Sequence, residues 1–287
     1  MNIDALKVRA AVLRQIRAFF DVRGFVEVDT PVRIAAPAPE PHIDCPMVAS
    51  EAKPTFLRAS PELQMKKLLA AGMDRIYQIG PCFREGERGS RHNPEFTMLE
   101  WYRTNAVYLD IHADMEELVS EILADRIKKA ECPDRKFTRL TVRDAYLKWA
   151  QWDPFTDWDA DRFDVDIATK IEPNIPKKPV FLMDYPPQAA SLSWLRGNVA
   201  ERWELYVDGM ELANAFSELV DPDEQRRRFD LAREERRQLG EADYPIDEEF
   251  LESLSCMPPS AGVALGVDRL VMLACSADAI SAVRTVE

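Results

Sequence analysis

No apolar run in this sequence approaches the ~20 residues that cross a bilayer, so no membrane span is expected. The first twenty residues, MNIDALKVRAAVLRQIRAFF, mix charged with apolar residues and carry no signal-peptide pattern. Neither a Walker A sequence nor a GxGxxG occurs, so a bound nucleotide needs another kind of seat. Histidine is scarce, and His42, His92 and His112 are too dispersed to suggest a zinc site. The cysteines (Cys45, Cys82, Cys132, Cys256, Cys275) are odd in number and form no CxxC pair, which fits a reduced cytoplasmic compartment. Basic residues fall short of acidic ones, 37 against 50, for a net charge of −13. A broad phosphate-binding face, as tRNA or DNA requires, is therefore not expected. A locally positive site remains compatible with that sum.

What is present suits a folded soluble protein: 287 residues, 46% hydrophobic and 30% charged. That length allows one large domain or two small ones. Residues 5–23 read as an amphipathic helix with Ala5, Val8, Val12, Ile16 and Phe19 near one stripe and Gly24 as its stop. Short strands are expected at Phe25–Val28 and Thr55–Arg58, with a proline-rich loop over residues 34–44 between them. Ser60-Pro61-Glu62 opens a helix with a hydroxyl cap, an early proline and an acid near the positive end. Gly72 closes it, and strands follow at Arg75–Ile79 and Cys82–Glu85. Residues 108–129 read as a long helix, and residues 141–178 as an insertion rich in Trp and Asp. Another strand is expected at Val180–Asp184. Asp208-Gly209 is a strong hairpin signal between Arg202–Val207 and Met210–Phe216. A charged helix over residues 222–239 ends at Gly240, and Val263–Val267 is a last strand running into a helix through Leu273. Short turns between strands and segregated helices argue for an antiparallel sheet of the α+β class.

Three segments carry chemistry. The first is FREGERGSRHNPEFTMLEWYR, residues 83–103, in which an arginine ends one strand and a polar loop leads to a second. Alternation along that second strand points Phe96, Met98, Glu100 and Tyr102 the same way. An aromatic ring, a carboxylate and a phenol then share one wall, with Arg84 across the loop. Arg84 is either a surface residue paired with Glu85 or a planar fork suited to a phosphate. The second segment is GVALGVDR, where Gly262, Ala264 and Gly266 share a nearly bare face and Val263, Leu265 and Val267 the packing face. Bare strand faces admit a ligand or a close-packed helix, and glycines alone do not decide between them. The third is ERWELYVDGMELANAFSEL. Strict alternation puts Glu204, Asn214 and Glu218 on one face and Glu211 on the other; a bulge after the turn would unite them. Such carboxylates suit Mg²⁺ or an ammonium group, while the commoner occurrence is a solvated hairpin face.

Taken in order, these segments resemble the signature regions of class II aminoacyl-tRNA synthetases, specifically the lysyl branch. RGFVEVDTP is similar to motif 1, FREGERGSRHNPEFTMLEWY to motif 2 and GVALGVDRLVML to motif 3. SPELQMKKLL and ELANAFSEL resemble that branch's substrate-pocket segments. The resemblance runs from about Arg14 to Leu273. It implies an antiparallel sheet flanked by helices, and a homodimer through motif 1. Two features set the chain closer to the free-standing paralogs that attach β-lysine to elongation factor P. Motif 1 begins almost at the start, which leaves an expectation of a single catalytic domain over residues 1–287 without an anticodon-binding domain. Ala264 also stands where lysyl-tRNA synthetases carry glycine.

The resemblance implies a role for each matching residue. Arg84 would bind the α-phosphate of ATP, and Arg269 the γ-phosphate. Phe96 would stack under adenine, with Arg269 over its other face, and His92 would touch the triphosphate. Glu204 and Glu211 would hold Mg²⁺. Ser60, Glu62, Glu100, Tyr102, Asn214 and Glu218 would surround the amino groups of lysine or β-lysine above a floor narrowed by Ala264. One departure stands out: the family places an adenine-reading glutamate where this chain has Gly86, leaving Glu85 or Glu87 for that task. The implied activity is AMP-forming ligation of (R)-β-lysine to a lysine of elongation factor P. The alternatives are a truncated lysyl-tRNA synthetase and a non-catalytic regulatory subunit.

Overall fold

The computed structural model describes residues 2–49, 53–129 and 136–285. Cys132 lies outside the described residues. By internal contacts the chain falls into two compact units. One comprises Met1–Asn105, Val220–Ser260 and Ala264–Glu287; the other comprises Ala106–Leu219 and Ala261–Val263. Among the described residues the main sheet has nine strands. Helices accompany it in both units, which is the α+β class expected. Among the described residues no helix is long and apolar enough to cross a membrane.

In the first unit the opening helix runs Ile3–Asp21. The Asn2 side chain accepts from the Ala5 amide at 3.2 Å, satisfying one of the free donors at the helix start. Its buried stripe is Ala5, Val12, Ile16, Phe19 and Phe20, as the periodicity predicts except that Phe20 is buried and Val8 is not. Phe20 stacks on Tyr77 at 4.6 Å and meets Trp101 at 5.2 Å, so the helix lies against the sheet through aromatic area. Val26–Glu27 pairs in parallel with Arg75–Phe83, which pairs antiparallel with Glu95–Thr104. A single strand thus spans Arg75–Phe83, where the sequence suggested two pieces broken at Gly80-Pro81. The reason lies in the register. Pro81 faces Thr97, whose amide is turned away to the Asp268 carboxylate at 2.7 Å. That pair exchanges no ladder bond, so a residue without an N–H costs nothing there.

The helix after Ser60 is Glu62–Ala70, with Pro61 rather than Ser60 at the cap position. Ser60 still accepts the Glu62 amide at 3.0 Å. Pro222–Leu239 begins at Asp221, which accepts the amides of Asp223 and Glu224, and ends at Gly240 in the left-handed region at φ 78°.

In the second unit Val180–Tyr185 pairs antiparallel with Val199–Val207, and that strand with Met210–Ser217. Thr138–Thr141, a strand the sequence did not suggest, pairs in parallel with Val180–Tyr185. The sheet is therefore mixed, with parallel pairs at Val26–Glu27 and Thr138–Thr141 and antiparallel pairs for the strands that carry the candidate site residues. The expected long helix is two, Tyr108–Ile122 and Ala124–Lys129, meeting at Leu123. The stretch after Thr141 is a series of short helices whose Tyr146, Trp152, Phe163 and Ile171 pack in one apolar cluster with Val180, Leu182 and Tyr206. That stretch therefore shares its core with the sheet strands.

Candidate active site

Of the candidates for ATP, Arg84, Glu85, Glu87, His92, Phe96 and Arg269 lie in the first unit and Glu211 in the second. Arg84 follows the strand Arg75–Phe83, and its amide donates to Pro94 O at 2.9 Å, which keeps it beside the next strand. Its guanidinium carbon sits 5.1 Å from the centroid of the Phe96 ring. Arg84 Nη1 is 3.4 Å from Glu87 Oε1. Among the described residues Arg84 Nε is buried with no hydrogen-bond partner. A buried guanidinium N–H with no acceptor leaves a strong donor to be met by something else, and an anionic oxygen suits it. Gly86 turns the chain at φ 77°, a conformation a side chain disfavours. Glu85 is exposed, and its amide donates to Asp44 O at 2.7 Å. Of the two acids flanking Gly86, Glu87 is the one that meets Arg84.

Arg269 stands in the first turn of the helix Val267–Cys275. Its Nε donates to Arg91 O at 3.4 Å, and its Nη2 lies 2.6 Å from His92 Nε2. Burial, and then the Arg269 charge, hold the His92 pKa below its usual value, so the ring accepts this bond as the neutral form.

A second wall in the same unit is acidic. Glu100 is buried at 1% exposure and accepts from Ser60 Oγ at 2.5 Å and from Tyr102 OH at 3.0 Å. The Glu100–Tyr102 contact bears out the shared face read from alternation. Burial foremost, and the nearby Glu62 charge, push the Glu100 pKa up to about 7. Glu62 in turn pairs with the fully buried Lys66 one helical turn on. Lys66 was not singled out from sequence, although an acid and a lysine spaced i, i+4 are its signal. Along the strand Ser260–Gly266, Ala264 and Gly266 are half-buried while Val263 and Leu265 are buried, but Gly262 is buried too, so the bare face that the glycine pattern suggested extends only over Ala264 and Gly266.

The remaining acids belong to the second unit. Asp208 and Gly209 adopt φ of 55° and 69°, the left-handed pair of a tight hairpin turn. Glu204 lies directly opposite Asn214. The register then slips: Leu205 faces Ala213 and Tyr206 faces Glu211, leaving Leu212 as the extra residue. That bulge brings Glu211 to the face of Glu204 and Asn214, and the burial pattern agrees, with Leu212 and Ala213 both buried. Glu218 is buried at the end of the hairpin and bridges to Ser193.

Arg202 ties this face together. It donates to Glu204 Oε1 at 2.7 Å, to Asn214 Oδ1 at 3.1 Å and to Ala189 O at 2.9 Å, and stacks 4.3 Å over Tyr185. Tyr206 OH donates to Glu204 Oε2 at 2.8 Å. Sequence reading missed Arg202, because its distance from Asn214 along the chain hides their pairing across the hairpin. Among the described residues no group of three or more His, Cys, Asp or Glu side chains could hold a metal alone. Glu204 and Glu211 share one face, and since both Glu204 oxygens already accept from Arg202 and Tyr206, an ion there would share them with these donors and complete its shell with phosphate oxygens and water.

A family model for class II tRNA synthetases (D, K and N) matches residues 2–285, and the chain belongs to that family. Among curated proteins, a relative from Proteus mirabilis (strain HI4320) is 37% identical, covering 98% of this chain and 94% of its own. One from Vibrio atlanticus (strain LGP32) is 38% identical over 97% and 94%, and one from Edwardsiella ictaluri (strain 93-146) 39% over 96% and 92%. Each of the three is named elongation factor P–(R)-β-lysine ligase.

Proposed function

We propose that this protein is an ATP-dependent ligase that activates (R)-β-lysine as an aminoacyl-adenylate and transfers it to a lysine side chain of elongation factor P. The observation that carries the activation step is Arg84, whose buried, unpartnered Nε lies beside the Phe96 ring. The name shared by relatives across nearly their whole length supports the amino acid and the acceptor. The family match runs through both units, which supports reading residues 1–287 as one catalytic domain.

In this reading the carboxylate of the amino acid attacks the α-phosphorus of ATP, the bond to the bridging oxygen breaks, and pyrophosphate leaves. Arg84 holds the α-phosphate and the charge that builds on it. Phe96 stacks on adenine, and Glu87, the acid that meets Arg84, takes the place left by Gly86. Glu85 has its backbone committed to Asp44 and serves the loop's shape. Arg269 and His92 hold the far end of the triphosphate. Glu204 and Glu211 hold Mg²⁺, which would neutralise phosphate charge when bound. Ser60, Glu62, Glu100, Tyr102, Asn214 and Glu218 recognise the amines, and the Ala264 methyl trims the pocket floor. The acceptor lysine amine then attacks the activated carbonyl, AMP leaves with the bonding pair, and the amine loses a proton. Catalysis is positioning and charge stabilisation, with no covalent enzyme intermediate. Exposed Val22 beside motif 1 and Val26 within it support the homodimer reading, and the unpaired cysteine pattern a cytoplasmic one.

Arg84→Ala tests this directly. ATP–pyrophosphate exchange driven by β-lysine should fall by at least about 10²-fold, with an unchanged circular dichroism spectrum. Wild-type exchange in that variant would sink the assignment.

A further inference from the structure

Asp268, the residue before Arg269, is 2% exposed and carries no role in the reading above. Its carboxylate is nevertheless crowded with donors from three distant stretches of chain. Arg9, on the helix Ile3–Asp21, pairs with Oδ1 and also donates to Thr97 Oγ1 at 2.7 Å. The Thr97 amide donates to Oδ2 at 2.7 Å, and Arg284 Nη1 to the same oxygen at 3.2 Å. The other arm of Arg284 reaches Glu95 Oε1 at 3.3 Å. The two strand residues held in this way, Glu95 and Thr97, flank Phe96. The helix residue that holds them adjoins Arg269.

The connection closes into a ring. Four residues before Arg284, the Ile280 amide donates to Ser90 O at 2.8 Å. Ser90 leads into Arg91 and His92, and both of those meet Arg269. Strand, loop and helix of the nucleotide wall are thus joined through Asp268, Arg284 and Ile280. A buried carboxylate flanked by two guanidinium groups is strongly held, and it has few alternative arrangements once one arginine is lost.

We infer that Asp268, clamped by Arg9 and Arg284, is a positioning residue that fixes Phe96 and Arg269 for nucleotide binding and in-line attack. The segment Ile280–Arg284 is part of the working site, although none of its side chains meets the substrates in the proposed scheme. This inference rests on the ligase reading. A purely structural clamp would lower thermal stability and leave the kinetic constants alone. A positioning clamp degrades catalysis even where the fold survives, since small misplacements of reacting groups are costly.

The test uses the full chain with Arg284→Met and Arg284→Lys. Three quantities are read: ATP dissociation constant by titration calorimetry, KM and kcat in ATP–pyrophosphate exchange, and melting temperature. For R284M the expected result is weaker ATP binding and a kcat reduced by up to about 10²-fold, with KM for the amino acid unchanged. R284K retains charge at Asp268 but loses the second arm to Glu95, and is expected to fall between R284M and wild type. A lowered melting temperature with wild-type kcat and KM for ATP overturns the inference. Should R284M not fold, R284K decides, and wild-type kinetics there overturn it. Failure of the wild-type chain to bind ATP at all overturns the ligase reading itself, and the positioning role with it.

Discussion

Glu100 shows how one residue would join stability to the recognition proposed for it. It is buried beside Glu62, with the Ser60 and Tyr102 hydroxyls donating to it, and its pKa rises to about 7. Lys66 already pairs with Glu62, so the internal lysine offsets one of the two acids. Raised above its usual 4.5, the folded-state pKa makes Glu100 stabilising at low pH, and that contribution is lost as pH rises through about 7. An incoming ammonium reverses the preference, because it favours the charged carboxylate. Binding of the amino acid at about pH 6 should therefore release up to about one proton per site, and above pH 8 nearly none. Calorimetry in two buffers of different ionisation heat measures this. Equal heats in both buffers at the lower pH would rule it out, and Glu100→Gln should abolish the release. Burial favours the neutral form of His112 too: among the described residues both its ring nitrogens lack partners, Phe181 and Trp203 surround it, and its pKa falls to about 3. Neither residue's state could be read from sequence, since both depend on what surrounds the side chain.

At the level of elements, the hairpin Val199–Val207 and Met210–Ser217 carries the most information. Its turn was legible, because Asp-Gly between alternating strands has few other uses. Its bulge was legible only as a need: four polar residues of matched chemistry could not share a face without one. The structure puts the extra residue at Leu212, where an apolar side chain joins Ala213 in the core. Gly209→Ala tests the turn alone, since nothing lies within 4 Å of a Cβ built there. It should cost about 1–2 kcal/mol from left-handed backbone strain. The measurement is the denaturant midpoint, with an unchanged slope; no shift would mean the turn relaxes to another type. The strand Arg75–Phe83 taught the reverse lesson. Gly80 and Pro81 read as a break, yet Gly80 gives room to the buried Arg58, whose Nη2 would lie 2.7 Å from an added Cβ, and Pro81 sits where no ladder bond is made.

At the scale of the whole molecule, net charge separates the acceptors. With a net charge of −13 and a pI near 4.9, the surface repels polyanions over the range set by salt. Exchange should proceed with no macromolecule present, and tRNA should not be retained on filters at about 0.15 M salt. Robust charging of tRNA, scored beside elongation factor P with α-lysine and both β-lysine isomers, would overturn the acceptor proposed above.

The sequence by itself determined the class of the chain, the order of its signature segments and the chemistry of most residues named for the site. Those properties are local: alternation aligns Glu100 with Tyr102, and an Asp-Gly pair makes a turn wherever strands flank it. Tertiary structure alone decided which charges are already spoken for. Arg202 bridges Glu204 and Asn214, and Arg9 with Arg284 clamps Asp268. The physical reason is that ionic and hydrogen-bonded partners are chosen by proximity in space and by burial. Most of these partners are far apart along the chain, where no local pattern connects them.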